Sequence, residues 1–323
     1  MHVRLVTPAP PRSRAGNRTT ANRWARLLRE AGHRVTVAGP DSPVRDCDLL
    51  IALHANKSAG VIAAFHARFP DRPIVLALTG TDLYRDLARS AAARRSLEIA
   101  SRYIVLQPLA IEELPARLRS RARVVIQSAT APKSSPQPPS SRTFDVCVIG
   151  HLRTVKDPLR AAMASRFLDG ESRIRILHAG AALTPAMKAR ALRESRFNPR
   201  YEWLGELSEA RVARLLQRSR LMVLSSRLEG GANVISEAIA CGTPVLASRI
   251  PGSVGLLGED YRGYFPTGDT RALAAMLSRC ERDPSFLQSL RESLNRLRPR
   301  FAPSLERASL ESLIAELVSP EST

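Results

Sequence analysis

LMVLSSRLEGGANVISEAIACGTPVLAS, at residues 221–248, is the most informative segment of the sequence. An apolar run leads into a loop with two adjacent glycines, and a helical pattern follows that ends at Gly242, just before Pro244. Gly at the end of a helix and Pro shortly after it are common stop signals. The segment therefore predicts a strand, a loop and a helix, which together form one unit of a parallel α/β sheet.

The loop of this segment predicts a site for a phosphorylated ligand. Gly230 and Gly231 permit close approach of a ligand to the backbone, and Asn233 can cap the start of the helix. A phosphate there would meet N–H groups and the positive end of the helix dipole. Glu229 and Glu237 can face the same ligand, because a carboxylate suits a ribose diol or sugar hydroxyls. Alternatively, Glu237 is a helix-surface acid and Glu229 interacts only with the helix dipole.

Strand and helix patterns alternate along the whole chain, which predicts an α/β fold with parallel sheets. The Pro/Ser-rich segment TAPKSSPQPPSSR predicts a linker at residues 130–142. We predict domains at residues 1–129 and 143–303, with a C-terminal helix at 304–323 that packs back on the first domain. The strand-type runs are residues 3–7, 35–38, 49–53, 74–78, 103–106, 124–127, 144–149, 174–179, 201–204, 221–224, 244–247 and 263–265.

Composition narrows the class of protein. The net charge is +19, and residues 1–142 carry 23 Lys and Arg against 10 Asp and Glu. These basic residues are scattered on polar helix faces without interleaved aromatics, which favours a solvated surface that attracts small anions over a specific nucleic-acid partner. An Arg-rich nucleic-acid-binding protein stays open as an alternative. The four cysteines lack metal-ligand spacing, and neither a signal peptide nor an apolar run of about 20 residues occurs. We expect a cytoplasmic protein without a transmembrane segment.

The second half resembles the GT4-type glycosyltransferases. The pairs Glu229-Gly230 and Glu237-Ala238 match the family's donor-binding signature, and Gly242-Thr243-Pro244-Val245 and Pro251-Gly252 flank it. The resemblance spans residues 144–277. It implies a GT-B fold, with two Rossmann-like domains facing each other across a cleft, and transfer of a sugar from a nucleotide donor.

The resemblance also implies roles for individual residues. Glu237 resembles the family's ribose ligand and Glu229 the residue that contacts the transferred sugar. Arg153 and Lys156 would neutralise the leaving diphosphate, although His151 stands at the usual arginine position. No Asp-x-Asp motif occurs within residues 144–277, which carry the resemblance, so the resemblance implies no required metal. The implied catalytic residues are Glu229, Arg153 and Lys156, and the implied donor-binding residues are Gly230, Gly231, Ala232, Asn233, Glu237 and His151.

Loops after strand-type runs in the first half form the predicted acceptor side. We expect them to converge on the interdomain cleft and to bind a small anion. Thr79 stands where the GT4 family usually has a histidine, which suggests an unusual acceptor. The predicted acceptor-binding residues are Asn17, Arg18, Thr19, His54, Lys57, Thr79 and Asp82.

Four motifs, AGNRTTANRWARLLRE, HANKSA, LTGTDLYRD and GHLRTVKDP, together resemble the family of selenosugar synthases of selenoneine biosynthesis. This resemblance implies selenophosphate as acceptor and a UDP-sugar, UDP-N-acetylglucosamine, as donor. It also implies a 1-seleno-sugar product, release of UDP, and downstream selenoneine-pathway enzymes as candidate partners. Two enzymatic alternatives stay open: an ordinary GT4-like transferase that makes an O-glycoside on a lipid, glycan or small metabolite, and a sugar-nucleotide epimerase.

Overall fold

The computed structural model of the protein describes residues 1–131 and 138–318. It divides the chain into two compact units. The first unit contains the described residues of Met1–Ser128, Glu229–Gly231 and Ala302–Thr323, and the second contains those of Ala129–Leu228 and Ala232–Phe301. Residues 132–137 of the predicted linker and 319–323 of the predicted C-terminal segment lie outside the described residues.

A six-stranded parallel sheet forms the centre of the first unit. Its strands stand in the order β2-β1-β3-β4-β5-β6. The central strands β3 and β4 consist entirely of buried apolar residues, as expected where helices cover both faces of a sheet. The strands are β1 (His2–Val6), β2 (Arg34–Ala38), β3 (Leu49–Leu53), β4 (Ile74–Leu78), β5 (Arg102–Val105) and β6 (Ala122–Val124). The helices are α1 (Gly16–Glu30), α2 (Ala59–Arg68), α3 (Leu87–Arg89), α4 (Ala91–Ile99) and, from the end of the chain, α12 (Pro303–Val318), with a π-helical turn at Asp82–Asp86.

Separate helices cover the two faces of this sheet. Trp24 of α1 and Leu313 of α12 pack in the cluster on one face, and Phe65 of α2 and Leu97 of α4 pack in the cluster on the other. Each helix buries an apolar stripe against the sheet, which is the main source of its stability.

The second unit repeats this architecture. Its six parallel strands stand in the order β12-β11-β10-β7-β8-β9. The strands are β7 (Phe144–Ile149), β8 (Ile174–Ala179), β9 (Tyr201–Gly205), β10 (Leu221–Leu224), β11 (Val245–Ser248) and β12 (Tyr264–Phe265). The helices are α5 (Arg160–Ser165), α6 (Pro185–Phe197), α7 (Glu209–Arg218), α8 (Asn233–Cys241), α9 (Pro251–Leu257), α10 (Thr270–Arg282) and α11 (Pro284–Leu297).

The predicted α/β class with two parallel sheets is confirmed. The strand predicted at residues 124–127 is wrong in position, because β6 is Ala122–Val124. Its pairing with β5 runs from Tyr103↔Ala122 to Val105↔Val124 and stops where β5 ends. Among the described residues, no helix is long and apolar enough to cross a bilayer.

Candidate functional site

The segment singled out in the sequence forms β10, a loop and α8, as predicted, but the cap of the helix differs from the prediction. We expected Asn233 to cap α8, whereas Asn233 is its first residue and Ala232 is the cap residue. The side chain of Ala232 is a methyl group, so it cannot accept a hydrogen bond from the first N–H groups of the helix. The helix ends at Gly242, whose φ of +71° is in the left-handed region. This start of α8 is suited to an anion.

Two predicted donor-binding residues lie on one face of α8. Asn233 and Glu237 are four residues apart, and both are half-buried. The residues that follow each of them are buried in the second unit: Val234, Ile235, Ser236, Ala238, Ile239 and Ala240. An amide and a carboxylate are therefore the polar groups that this partly accessible face presents.

Glu229, Gly230 and Gly231 group with the first unit. Glu229 is buried, with 8% of its surface exposed. A Cβ at Gly230 would lie 2.5 Å from the carbonyl carbon of Thr79, a residue of the same unit, and a Cβ at Gly231 would lie 2.5 Å from Cβ of Leu106. The glycines are thus needed for close packing. The structure brings Gly230 and Thr79 together, two residues predicted to bind different substrates.

The segment that carries Lys156 follows β7, next to β10 in the sheet. Asp157 has a φ of +45°, and its carboxylate accepts hydrogen bonds from Arg160 at 2.8 and 3.0 Å. The guanidinium of Arg227, on the β10–α8 loop, lies 3.3 Å from the same carboxylate. The hydroxyl of Ser225 donates to the backbone carbonyl of Asp157 at 2.9 Å. These contacts fix the Lys156 segment to the loop that precedes α8.

The sequence analysis missed Asp157, Arg160, Arg227 and Ser225. The sequence did contain hints of these residues. Asp157-Pro158 is a common turn sequence, and Arg227 lies two residues before the predicted site residue Glu229. The ion pair between Asp157 and Arg227 could not be predicted from the sequence, because the two residues are 70 positions apart. Arg153 is exposed and Lys156 is half-buried.

His151 and His178 support the loop after β7. Nδ1 of His151 accepts the N–H of Ala181 at 3.1 Å. His178, completely buried, donates from Nε2 to the carbonyl of Gly150 at 3.0 Å, and the hydroxyl of Tyr201 donates to its Nδ1 at 2.9 Å. Burial lowers the pKa of His178 to about 4, so the ring is neutral. His151 therefore holds the backbone in place from a half-buried position.

In the first unit, Asp82 joins two predicted acceptor loops. Its carboxylate is completely buried and accepts the N–H groups of Ala55 at 3.1 Å, Thr79 at 3.0 Å and Gly80 at 2.8 Å. Ala55 follows β3 and Thr79 follows the neighbouring strand β4. The Asp82 carboxylate accepts these three backbone N–H groups and therefore connects the loop that follows β3 to the loop that follows β4.

His54 lies beside this carboxylate and is also buried. Its Nδ1 accepts the N–H of Lys57 at 3.4 Å, and its Nε2 lies 3.3 Å from the Thr81 hydroxyl and 3.9 Å from the Asp86 carboxylate. Burial is the main cause that lowers the pKa of His54, and the Lys57 charge adds to it, whereas Asp82 and Asp86 oppose it. The arrangement places a neutral imidazole next to a half-buried hydroxyl.

Three of the remaining predicted acceptor residues lie in the first turn of α1, and the fourth, Lys57, lies between β3 and α2. The Arg18 guanidinium is buried and donates to the carbonyls of Ala9 and Pro10. Arg18 therefore holds the proline-rich loop after β1. Asn17 and Thr19 are half-buried and Lys57 is exposed. Because β1, β3 and β4 are neighbours, their loops lie at one edge of the sheet.

No group of three or more His, Cys, Asp or Glu side chains that could hold a metal ion occurs in residues 1–131 and 138–318. The four cysteines are free thiols, and Cys47, Cys147 and Cys280 are buried.

The sequence profile of the family described as Glycosyl transferases group 1 matches residues 132–297 of the chain. This range covers just over half of the 323 residues. A search of curated proteins found no match.

Solved structures share the fold over nearly the whole chain. Sucrose-phosphate synthase from Thermosynechococcus elongatus is 17% identical, with a TM-score of 0.77 and 98% of both chains covered. HepE from Anabaena, solved in complex with UDP, is 17% identical, with a TM-score of 0.78, covering 98% of this chain and 99% of that one. A glycosyltransferase from Rickettsia africae is 12% identical, with a TM-score of 0.79 and 99% of both chains covered. These likenesses confirm the predicted GT-B fold.

Proposed function

The chain belongs to the group 1 glycosyl transferases, and on that basis we propose that it transfers a sugar from a UDP-sugar to selenophosphate. The donor half of this proposal rests on α8, whose partly accessible face carries Asn233 and Glu237 and whose first turn is the positive end of the helix dipole. A ribose diol pairs with the carboxylate and a diphosphate with the helix start. HepE, which shares the fold, was solved with UDP.

Lys156 is the cation that we assign to the leaving diphosphate. When the bond between the sugar C1 and the diphosphate oxygen breaks, the electron pair leaves with UDP and negative charge develops there. A fixed cation stabilises that charge. The bonds from Asp157 to Arg160 and Ser225 fix the Lys156 segment, so little reorganisation is needed during the reaction.

Selenophosphate fits the first unit because its selenium is already ionised and needs no general base. The Nδ1 of His54 accepts the N–H of Lys57, so in the neutral ring the proton is on Nε2, which faces Thr81 and Asp86. A ring in this tautomer is a donor and not a base. In the proposed reaction a C–Se bond forms as the C1–O bond breaks, which gives UDP and a sugar that still carries the phosphoryl group on selenium. Water then cleaves the Se–P bond, and the products are a 1-seleno-sugar, UDP and inorganic phosphate. UDP-N-acetylglucosamine is the donor that we propose, and downstream selenoneine-pathway enzymes would use the product.

The experiment is anaerobic incubation of the protein with UDP-N-acetylglucosamine and fresh selenophosphate, with mass spectrometry of selenium-containing sugars and parallel measurement of UDP. We expect a seleno-sugar only when both substrates are present. Glu237→Gln should weaken UDP-sugar binding by about 10- to 100-fold, the range for a hydrogen bond to a charged group. The matched control is Glu171→Gln, which alters an exposed carboxylate elsewhere in the second unit.

An O-glycosyl transferase that uses a lipid, glycan or small metabolite is the second candidate. The observation that favours it is the 3.9 Å separation of the His54 imidazole and the Asp86 carboxylate. In the other tautomer this pair could accept a proton from an alcohol. If the protein binds the UDP-sugar, incorporates no selenium and transfers the sugar to an alcohol, the second candidate replaces the first.

A further inference from the structure

Helix α6 buries far less of its surface than the other long helices of the second unit. Of its 13 residues, all of them described, Ala191 alone is buried. Helix α10 has the same length and buries four residues. Because α6 lies between β8 and the edge strand β9 in the chain, it can sit at the rim of the sheet with most of its circumference in solvent.

Large apolar side chains occupy this exposed surface. Leu192 is 53% exposed and Phe197 is 65% exposed. Phe167, which is 53% exposed, follows Arg166, whose guanidinium pairs with Glu194 of α6 at 2.8 Å. The end of α5 therefore lies beside α6, and Phe167 is a further exposed apolar side chain next to this helix. Leu192 and Phe197 are five residues apart and so lie about 140° apart around α6, at the two sides of its exposed surface.

Basic residues are interleaved with these apolar groups. Lys188, Arg190 and Arg193 are exposed and form no ion pair with any described residue, and Arg196 stacks on the Phe197 ring at 5.4 Å. Arg271 lies 4.8 Å over the Phe167 ring. The one acidic residue of α6, Glu194, is bonded to Arg166 and Asn198, so its charge is compensated.

We propose that this α6 surface, consisting of Phe167, Lys188, Arg190, Leu192, Arg193, Arg196 and Phe197, docks on the anionic headgroups of a lipid bilayer. The apolar rings and the leucine would enter the boundary between headgroups and acyl chains, and the long basic side chains would reach the phosphates. A bilayer accepts a convex helix without a complementary groove, whereas a protein partner needs matching shape over its whole footprint. The proposal does not depend on which acceptor the enzyme uses.

Charge complementarity is the reason for choosing an anionic membrane. The protein carries +19 overall, and Lys188, Arg190, Arg193 and Arg196 add a local positive field next to the apolar groups. Each basic residue near an anionic surface strengthens binding by about fivefold. Apolar insertion supplies the part of the binding that net charge alone cannot.

The test is co-sedimentation of the full chain with vesicles of phosphatidylcholine alone and with 30% phosphatidylglycerol added. We expect at least tenfold stronger partition to the anionic vesicles. Leu192→Ser/Phe197→Ser keeps the charge and should weaken that partition by about tenfold, while Leu305→Ser, which removes another exposed leucine, should not change it. UDP binding measured on the same samples identifies any variant that fails to fold.

A second pair of variants separates the α6 surface from the general charge of the protein. Arg190→Ser/Arg193→Ser should weaken partition by roughly tenfold or more, whereas Arg89→Ser/Arg95→Ser, with the same loss of charge on the first unit, should weaken it less than threefold. The proposal fails if both pairs weaken partition equally, because binding is then nonspecific attraction. It also fails if Leu192→Ser/Phe197→Ser binds like the wild type, or if α6 variants dissociate a dimer and leave vesicle binding unchanged.

Discussion

Gly180 lies where the carboxyl ends of β7 and β8 come closest. A Cβ at this position would stand 1.9 Å from the carbonyl oxygen of Gly150 and 2.9 Å from the amide of His151. The carbonyl of Gly180 also accepts the indole N–H of Trp203 at 2.8 Å. Neither neighbour is a flexible side chain, so the backbone itself would have to move. Close packing of this kind supports the loop that carries His151, Arg153 and Lys156.

Gly180→Ala should therefore destabilise the second unit by about 2 kcal/mol or more, because the added methyl group overlaps backbone atoms. Urea unfolding followed by tryptophan fluorescence measures the change. Gly60→Ala is the control, because Gly60 is an exposed helical residue with nothing within 4 Å of the added Cβ. That control should be neutral or stabilising by up to about 1 kcal/mol. Equal effects of the two substitutions would contradict the close packing at Gly180.

Because the pKa of His178 is lowered by folding, we expect the stability of the protein to depend on pH. Its pKa is about 4 in the folded protein, below the 6.5 of an unperturbed histidine, because burial disfavours the charged ring. Between these values the unfolded chain binds more protons than the folded one, so the stabilisation is complete above pH 6.5 and is lost as the pH falls towards 4. The loss is about 1.4 kcal/mol per pH unit for this group.

His178→Gln should lower stability at pH 7, because the bonds to Gly150 and Tyr201 are lost or distorted, but should make the decline between pH 6.5 and 4 shallower. Urea unfolding at several pH values gives both quantities. His66→Gln, at an exposed position on α2, should leave the slope unchanged. An unchanged slope in the His178 variant would mean that other groups cause the acid sensitivity.

At the scale of elements, a buried carboxylate of α12 bonds to two other segments of the first unit. Glu306, 1% exposed, accepts the indole N–H of Trp24 at 2.7 Å and the Arg23 guanidinium at 3.1 Å. It also accepts the backbone N–H of Ser128 at 2.8 Å. The carboxylate therefore connects α12, α1 and the segment after β6 in one network.

Glu306→Ala should destabilise the first unit by about 3 kcal/mol or more, because it leaves the Trp24 indole, the Ser128 amide and the Arg23 charge without this acceptor. Thermal unfolding followed by circular dichroism measures the loss. Glu311→Ala, at an exposed position on the same helix, is the control and should stay within about 0.5 kcal/mol of the wild type. A small effect of Glu306→Ala would mean that water replaces the carboxylate.

Elements were easier to predict from the sequence than the contacts that fix the site. Continuous apolar runs such as Leu49–Leu53 and Ile74–Leu78 identify buried strands, because the whole run must be apolar when both faces of a sheet are covered. The short strand β6 was predicted to start two residues and to end three residues too late, because its end is set by β5 and not by its own sequence. The Asp157–Arg227 pair could not be inferred, because it depends on β7 and β10 being neighbours in the sheet.

At the scale of the whole molecule, positive charge is the dominant feature. The net charge is +19, and the first 142 residues contribute +13 of it. Several ion pairs, such as Arg117–Glu98 and Arg249–Glu259, are at exposed side chains and contribute little individually. Mutual repulsion among the remaining basic side chains opposes the compact state.

Raising the ionic strength from about 0.01 M to about 0.15 M should therefore stabilise the protein, because the screening length shortens from roughly 30 Å to 8 Å and repulsion is long-range. The midpoint of thermal unfolding, measured by scanning calorimetry in sodium chloride without anionic ligands, should rise by several degrees. Arg89→Glu/Arg95→Glu lowers the net charge by four and should show a smaller rise. These arginines are exposed, so the substitution removes little packing. A midpoint that falls with salt would instead mean that the attractive pairs between exposed side chains, which salt screens, together outweigh the repulsion.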